Sequence, residues 1–407
     1  MTAFPIESVR ARFPALSVTD GGISRVYLDA PGGTQVCADA IRAMTEHLAS
    51  GTANLGGAFA TSAATAAVSE AAHGAMADLL GGAPGEIAFG ANMTSLTLAL
   101  SRSLAREWQA GDELVVTRLD HDANVAPWLL AAEDRGMTVR WLPFDPATGR
   151  LCVEQLPALL SPRTRLVAIG GASNALGTLN DLPAIVATVR AHSNALVFVD
   201  AVQSVPHVAT DVRAIGCDFL ACSPYKFFGP HAGVLWGRAD RMAALTAYKV
   251  RPAATEPPAR RFESGTASFE AQAGVAATID YLASLGDGDT RRDRLNSAME
   301  KCAAYERALG ERLLAGLRRL NSVRLHGPDT MDGRVPTFAF TVEGHAPATV
   351  ARHLADRHIF AWSGHFYAVE TVAALGVADS GGLIRVGLTH YNTAQEVDRL
   401  LEALSDL

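Results

Sequence analysis

The strongest constraint on the fold of this chain is an alternation of short β-branched segments with helical periodicity that begins near residue 60. The helical stretches include Ala123–Arg135 and Leu182–His192. This alternation predicts a mostly parallel sheet covered by helices, because parallel strands need long crossover connections. The predicted strands are Glu86–Phe89, Glu113–Arg118, Val139–Phe144, Arg165–Gly170, Leu196–Asp200 and Phe219–Ser223. Ligands in such a sheet bind beyond the carboxyl ends of the strands, so residues there are candidates for function.

A second, smaller lobe is predicted after this α/β domain, since 407 residues exceed what one small core needs. The Pro-rich, charged segment Arg251–Arg261 predicts an exposed loop, and Glu270–Leu285 predicts a helix. The amphipathic stretch Arg292–Leu320 then precedes a predicted strand at Thr337–Val342, which indicates an α+β lobe. We expect residues 18–285 to form the large domain, and residues 1–17 and 286–407 to form the small one.

Composition excludes several classes of protein. Hydrophobic residues make up 49% of the chain and charged residues 19%, which is typical of a globular protein. The net charge is −7 and no cluster of basic residues could follow a phosphate backbone, so we expect no nucleic-acid partner. With no apolar stretch long enough for a membrane span and no signal-peptide pattern, we expect a cytoplasmic protein. The scattered cysteines predict neither disulfides nor a metal site; they are Cys37, Cys152, Cys217, Cys222 and Cys302.

Lysine is scarce in this sequence, and one of the three lysines lies in an unusual environment. The three lysines are Lys226, Lys249 and Lys301, and Lys226 follows an apolar strand and is flanked by aromatic and turn residues. An apolar environment disfavours the charged ammonium, so the neutral amine can condense with an aldehyde. An ordinary surface lysine on a loop is the alternative interpretation.

A carboxylate ends a fully apolar run at Asp200, and Gln203 follows shortly afterwards. A buried anion needs a cationic partner. The protonated ring nitrogen of pyridoxal 5′-phosphate (PLP) is such a partner, and a carboxylate there keeps the ring an electron sink. Gln203 could then donate to the phenolic oxygen of the cofactor. A helix N-cap is the alternative role for Asp200.

Backbone amides at a predicted helix start, in residues 90–96, follow the strand at residues 86–89 and would suit a phosphate. Helix capping alone also explains the polar residues there. His121 lies where another strand passes into a helix, so its ring could stack on the cofactor and move protons. A loop histidine is the plain alternative. The candidate phosphate residues are Met93, Thr94, Ser95 and Ser223.

These segments together resemble the class V aminotransferase family, and most closely its cysteine desulfurases and selenocysteine lyases. The resemblance covers nearly the whole chain. It implies PLP-dependent fold type I, an α/β architecture in which a large PLP-binding domain with a mostly parallel central sheet accompanies a smaller α+β C-terminal domain. The matching segments are FPIESVRARFPAL at 4–16, YLDAPGG at 27–33, HDANVAPW at 121–128, SNALGT at 173–178, VDAVQ at 199–203, SPYKFFGP at 223–230, FESGT at 262–266 and RVGLTHYN at 385–392.

The resemblance implies a role for each candidate around the cofactor ring. Lys226 would carry PLP as a Schiff base, and Asp200 would pair with the ring nitrogen. Gln203 would meet the phenolic oxygen, while His121 would stack on the ring. Asn174 would lie near both the substrate and the cofactor oxygen.

The resemblance also assigns residues to the two charged ends of the site. Thr94 and Ser223 would hold the phosphate. Gly265 and Thr266 of a second subunit would complete that phosphate site, which implies a homodimer. Arg385 would bind the α-carboxylate of the substrate, because a planar bidentate donor suits a carboxylate better than an ammonium does.

One departure from the family pattern concerns the small-lobe loop on which desulfurases carry their persulfide-forming cysteine, a few residues after a Gly-His pair. Here the pair at residues 364–365 is followed by Tyr367, which cannot accept sulfur. Trp362 stands where desulfurases often place arginine. Asn54 and Leu55 replace the histidine and arginine of many members. These changes argue against an enzyme persulfide.

Three reactions of a small amino acid stay open: removal of a β-substituent such as sulfur or selenium, transfer of the amino group, and epimerisation. Each needs Lys226 as the base at Cα. We favour the lyase, because it needs no thiol nucleophile, with the aminotransferase as runner-up. A PLP-binding protein without turnover is a further alternative. A dinucleotide-dependent dehydrogenase is disfavoured, because no G-x-G-x-x-G follows the first strand.

Overall fold

The computed structural model describes residues 4–407, and its main sheet has seven strands. Their spatial order is Ile87–Gly90, Gly233–Gly237, Phe219–Cys222, Leu196–Asp200, Thr164–Gly170, Glu113–Thr117 and Thr138–Leu142. Six strands run in one direction, and Gly233–Gly237 is antiparallel to both of its neighbours. The predicted mostly parallel sheet is therefore confirmed.

The central strands Leu196–Asp200 and Phe219–Cys222 are almost wholly apolar because helices cover both faces of the sheet. Val197 and Val199 belong to one hydrophobic cluster, whereas Phe198 between them belongs to the other. This alternation follows from side chains pointing to opposite faces along a strand. The helices of this part of the chain are Ala38–Ala49, Ala60–Leu80, Met93–Ala105, Ala126–Arg135, Leu156–Leu159, Leu182–His192, Val212–Ile215, Ala239–Ala244 and Phe269–Ala283.

Two features of the large part differ from the sequence prediction. The strand Gly233–Gly237 was missed, because glycines at both of its ends weaken the pattern of a strand. The segment predicted as one exposed loop ends in a 3₁₀ helix at Pro258–Phe262, which buries Ala259 and Phe262. Hydrophobic burial of these two side chains orders the end of a segment that its prolines had made look irregular.

The smaller part is built on a helix of 27 residues, Arg291–Leu317, and an antiparallel four-stranded sheet. The strand order is Val323–His326, Thr337–Val342, Leu383–Gly387 and Trp362–Gly364. Its other helices are Pro347–Ala355, Val369–Ala374 and Ala394–Ser405. The predicted α+β lobe is confirmed. The exact division at residues 18 and 286 stays a prediction.

Short elements connect the two parts. Val26–Tyr27 pairs in parallel with Ile359–Phe360, so the segment after residue 18 bonds to the smaller part. The remaining strands are Thr19–Asp20, Ile23–Ser24, Phe144–Asp145 and Arg150–Leu151. The remaining helices are Ile6–Arg10 and the 3₁₀ turns Pro14–Ser17, Pro84–Glu86, Asp122–Asn124, Val153–Gln155 and Pro224–Lys226.

Three observations on residues 4–407 concern membrane spans, metal-ligand clusters and paired cysteines. None of the helices in that range is both long and apolar enough to cross a membrane. Within the same range, no three His, Cys, Asp or Glu side chains come together as metal ligands would. The five cysteines are unpaired, and all but the half-buried Cys152 are buried, as expected for small apolar core residues.

Candidate active site

A cavity of about 440 Å³ lies at the carboxyl ends of the large-sheet strands, where the smaller part closes over them. This is the position at which ligands bind in open α/β sheets. The cavity brings together residues that are far apart in the sequence. The predicted site residues that line it are Met93, Thr94, His121, Asn174, Asp200, Gln203, Ser223, Lys226 and Arg385.

Lys226 lies in the 3₁₀ turn directly after the strand Phe219–Cys222, and only 8% of it is exposed. Its Nζ donates a hydrogen bond to the Pro31 carbonyl over 2.6 Å. Burial, assisted by the positive charge of Arg385, lowers the pKa of the lysine to about 7 against the opposing charge of Asp200. The amine is therefore substantially neutral near pH 7, which is the form that attacks an aldehyde.

Asp200 ends the strand Leu196–Asp200 and is buried. Its Oδ1 accepts a hydrogen bond from the Val202 N–H over 2.9 Å in a turn, so it does not cap a helix as the alternative interpretation had it. Burial raises the pKa of this carboxyl to about 6, although the Val202 amide and the charge of Lys226 oppose the rise. A cation placed next to Asp200 would therefore be bound strongly.

A second buried acid, Asp120, lies close to Asp200. Burial, with the charge of Asp200, raises the pKa of Asp120 to about 8. Its oxygens accept from the Gly170 N–H and the Asn124 side-chain amide. Asp120 therefore stays protonated near pH 7 and leaves Asp200 as the carboxylate of the site.

His121 is held as a neutral ring in a defined tautomer. Its Nδ1 accepts from the Ala123 N–H over 2.9 Å, which leaves the proton on Nε2. Burial, with the positive charges of Lys226 and Arg385, lowers the pKa of the imidazole to about 4. The Tyr367 ring lies roughly parallel to it, with 5.5 Å between ring centroids.

The predicted phosphate residues are only partly brought together. Met93 and Thr94 line the cavity at the first turn of the helix Met93–Ala105. Ser95 does not: its N–H and hydroxyl both bond to Asn92 Oδ1, at 2.8 and 3.0 Å. Asn92 is the N-cap of this helix and already partners the polar groups of Ser95, so the cofactor contact of Ser95 stays a prediction.

Gly265 and Thr266 lie outside the cavity in the single chain. They line a neighbouring surface cavity of about 420 Å³ together with Gly90 and His231. Both residues are exposed, and an added Cβ at Gly265 would meet no neighbour. Their predicted contact with the phosphate of another subunit therefore stays a prediction.

Arg385 and Asn174 also line the cavity, and Arg385 brings a positive charge to it where Asp200 brings a negative one. Arg385 is 5% exposed, and its Nη1 donates to the Asn174 carbonyl over 2.9 Å. Its guanidinium carbon lies 4.3 Å from the centroid of the Phe366 ring. Burial lowers the pKa of Arg385 to about 9, opposed by the charge of Asp29. The group still carries a positive charge at pH 7.

Three buried polar atoms on or close to Arg385 have no hydrogen-bond partner within the described range: Arg385 Nε, Asn174 Oδ1 and Asp29 Oδ1. Burial raises the pKa of Asp29 to about 6, against the charges of Arg385 and Lys226. Unsatisfied buried groups cost free energy, so a polar ligand at this place would be stabilised.

Some residues of the site were not predicted from the sequence. The Pro31 carbonyl accepts from both Lys226 Nζ and Gln203 Nε2, the latter at 2.9 Å. Tyr225 and the segment from Trp362 to Tyr367 also line the cavity. Two sequence signals point to these residues: Pro31 lies in the family-like motif at 27–33, and Trp362 and Tyr367 lie on the loop that matches the one carrying the desulfurase cysteine.

Comparison with known proteins fits this geometry. The family model "Aminotransferase class-V" matches residues 26–400. The chain belongs to this family. The aminotransferase-like protein FGM3 of Gibberella zeae is 34% identical to this class V member over 412 residues, which cover 99% of the chain and 98% of the relative. A cysteine desulfurase of Dickeya dadantii is 33% identical over 417 residues, covering 98% and 96%.

A solved structure extends the likeness to the whole fold. The apo cysteine desulfurase from Thermococcus onnurineus NA1 has a TM-score of 0.89 at 26% identity and covers 100% of this chain and 98% of that one. Fold type I and the resemblance to the cysteine desulfurase group are thus confirmed. This class V protein is a cysteine desulfurase-like, PLP-dependent enzyme.

The residues of the cavity fit PLP. A buried lysine with a lowered pKa, a carboxylate at a strand end and a helix start match the aldehyde, the ring nitrogen and the phosphate in chemistry. The partnerless atoms around Arg385 leave one donor, Arg385 Nε, and two acceptor oxygens, on Asn174 and Asp29, for an amino-acid substrate.

Proposed function

We propose that this enzyme cleaves the bond between Cβ and sulfur of an amino acid without forming an enzyme persulfide. The observation that carries the proposal is the residue at the cavity mouth, Tyr367, which stands where the resemblance puts the desulfurase cysteine. None of the five cysteines lines the described cavity. A phenol cannot take over sulfur, so the sulfur must leave bound to its own substituent.

The proposed roles follow the contacts of the site. Lys226 holds PLP as a Schiff base, and Asp200 provides the anion for the ring nitrogen. When bound, PLP withdraws electrons from Cα of the amino acid and so acidifies its proton. The free Lys226 amine takes that proton. At pH 7 His121 is neutral, and Arg385 carries the positive charge that attracts the α-carboxylate.

Positioning depends on Arg385 and Asn174. Arg385 Nε is without a partner and lies beside the carbonyl-bound Nη1, so the guanidinium can donate to an α-carboxylate. Gln203 and Asn174 supply side-chain amides close to the Schiff-base lysine, for the phenolic oxygen. Thr94, Ser223 and the first turn at Met93 would hold the phosphate.

The net reaction of an S-substituted cysteine consumes one water. The Cβ–S bond breaks, sulfur leaves as a thiol with one proton, and the remaining fragment becomes pyruvate and ammonia. The test is an assay of pyruvate and thiol released from S-substituted cysteines by the holoenzyme. Release of both in equal amounts supports the lyase. Amino transfer that requires a keto acid supports the aminotransferase instead, and racemised substrate supports epimerisation.

A homodimer is part of the proposal. The surface around Gly265 and Thr266 carries exposed apolar side chains, including Leu55 and Val250, which line a cavity with these two residues. Burying such side chains against a second copy would stabilise the dimer. Sedimentation of the holoenzyme tests it, and Thr266→Ala should weaken PLP binding. A fully active monomer would contradict this part of the proposal.

A cytoplasmic location is also proposed. All five cysteines are unpaired in the structure, as is usual in a reducing compartment. Fractionation of cells that produce the tagged chain tests this proposal.

A further inference from the structure

Two large aromatic side chains lie exposed at the mouth of the active-site cavity. Trp362 is 52% exposed and Tyr367 is 66% exposed, and both line the cavity. Large exposed apolar groups that border a cavity are typical of binding surfaces, because water contact with them is unfavourable. The mouth is therefore suited to cover an apolar part of a ligand.

Hydrogen bonds hold the backbone of the segment that carries Phe366 and Tyr367. Phe366 and Tyr367 have φ values of 53° and 58°. Residues with bulky side chains adopt such values only where their surroundings impose them. Asn174 Nδ2 donates to the Phe366 carbonyl over 2.8 Å, and the Asp122 N–H donates to the Tyr367 carbonyl over 2.7 Å. Both donors belong to loops of the large sheet. The backbone of this segment is thus held in position before a ligand binds.

Trp362 contacts the loop whose Pro31 carbonyl accepts a hydrogen bond from Lys226. Its indole ring lies against Gly32, where even a methyl group would clash with it. Gly32 follows Pro31, whose carbonyl accepts from Lys226 Nζ. A group bound against Trp362 therefore lies close to the amino-acid end of the site.

The charges of the cavity argue for an uncharged substituent. The Lys and Arg side chains that line it are Lys226 and Arg385, and the proposed function uses the first for the cofactor and the second for the α-carboxylate. A second carboxylate on the substrate would find no further lysine or arginine along the described lining. The wall formed by Trp362, Phe366 and Tyr367 offers aromatic faces instead.

Building on the proposed function, we propose that Trp362 and Tyr367 select an amino acid whose β-sulfur carries an uncharged aromatic group, which lies against these two rings. This extends the small amino acid predicted from the sequence by an aromatic S-substituent. Aromatic rings in contact gain free energy beyond that of the buried area alone. A substrate with a free thiol or a methyl group would leave the wall uncovered.

The experiment compares three probes on the holoenzyme: S-benzyl-, S-methyl- and S-carboxymethyl-L-cysteine. The dissociation constant is measured from the change in visible absorption of the bound cofactor, and KM and kcat from pyruvate release. We expect S-benzylcysteine to bind about tenfold more tightly than the other two. Equal or weaker binding of S-benzylcysteine overturns the inference, while pyruvate release from S-methylcysteine would still support the lyase.

Variants of the wall make the test specific. Tyr367→Ala and Trp362→Ala should each lower kcat/KM for S-benzylcysteine, relative to kcat/KM for S-methylcysteine, about fivefold to tenfold through a higher KM. Tyr367→Phe keeps the ring and should keep the preference. Val369→Ala is the matched control, because Val369 is exposed close by and does not line the cavity. Equal effects on both substrates would overturn the inference. If no amino acid alters the absorption, both the inference and the proposed function fail.

Discussion

Lys226 Nζ donates a hydrogen bond of 2.6 Å to the carbonyl of Pro31, a residue 195 positions earlier in the chain. The same carbonyl accepts from Gln203. One backbone oxygen therefore aims the amine and the amide that the proposed function places on the cofactor. Because the amine is held by a neutral carbonyl rather than by a carboxylate, it gains no ion pair there, and burial lowers its pKa to about 7.

Replacing Lys226 with alanine should abolish the visible absorption band of the lysine-bound cofactor. The reason is that Lys226 is the only lysine lining the described cavity. Spectra of the purified variant after incubation with PLP check this. Lys249→Ala is the control, since Lys249 bonds to the Ala253 carbonyl away from the cavity. Borohydride reduction that labels Lys249 or Lys301 in the wild-type protein would contradict the assignment.

Arg385→Lys should weaken amino-acid binding much more than PLP binding. Lysine keeps the charge but loses the planar pair of donors, and a charge-assisted hydrogen bond contributes about 1.5–3 kcal/mol, or about 10- to 100-fold in the dissociation constant. Titrations of the variant with PLP and then with an amino acid separate the two effects. Unchanged amino-acid affinity would remove Arg385 from the proposed role. Equal losses for both ligands would point to a structural defect.

The rate at which the apoprotein reacts with PLP should rise with pH through about 7, and not through the 10.5 of an ordinary lysine. Only the neutral amine attacks the aldehyde, and the lowered pKa makes it neutral above pH 7. Arg385→Ala should move the midpoint upward, because the positive charge of Arg385 is, after burial, the second cause of the low pKa of Lys226. Stopped-flow absorption against pH measures the midpoint. A rate that keeps rising toward pH 10 in the wild-type protein would contradict the prediction.

The sequence predicted the parts of the site that depend on local pattern. Lys226 and Asp200 stand at the ends of apolar strands, and the fold brings all such ends to one edge, so their meeting follows from the pattern. The predicted cofactor contact of Ser95 rests on residue types that a phosphate-binding turn and an ordinary helix cap share, and in the structure its hydroxyl bonds to Asn92.

Other contributions could not be read from local pattern. The Pro31 carbonyl reaches the site only through tertiary packing, and a carbonyl carries no sequence signal. The left-handed backbone at Phe366 and Tyr367 is imposed by bonds from Asn174 and Asp122, which neighbouring residues in the sequence do not reveal. The predicted contact of Gly265 with a phosphate concerns a second subunit, so the single chain does not test it.

Two buried polar pairs join the two parts of the molecule, and one of them yields a prediction about stability. His207 Nδ1 lies 2.8 Å from Glu306 Oε2, and the Tyr281 hydroxyl bonds to His390 Nε2 over 2.7 Å. Glu306 Oε1 and His390 Nδ1 lie 3.9 Å apart, too far for a direct hydrogen bond. Burial raises the pKa of Glu306 against the charge of His207, and burial lowers that of His390 to about 3.

Glu306→Ala should lower the free energy of unfolding by about 3–5 kcal/mol, because it leaves His207 buried without its partner and opens a cavity. Urea unfolding followed by fluorescence measures this loss. Glu306→Gln keeps an acceptor for His207 and should lose less. Glu311→Ala is the control on the same helix, since its side chain is exposed and its removal should cost no more than about 0.5 kcal/mol. If the Glu306→Ala and Glu311→Ala proteins unfold at the same urea concentration, the pair of Glu306 and His207 contributes nothing to the free energy of unfolding.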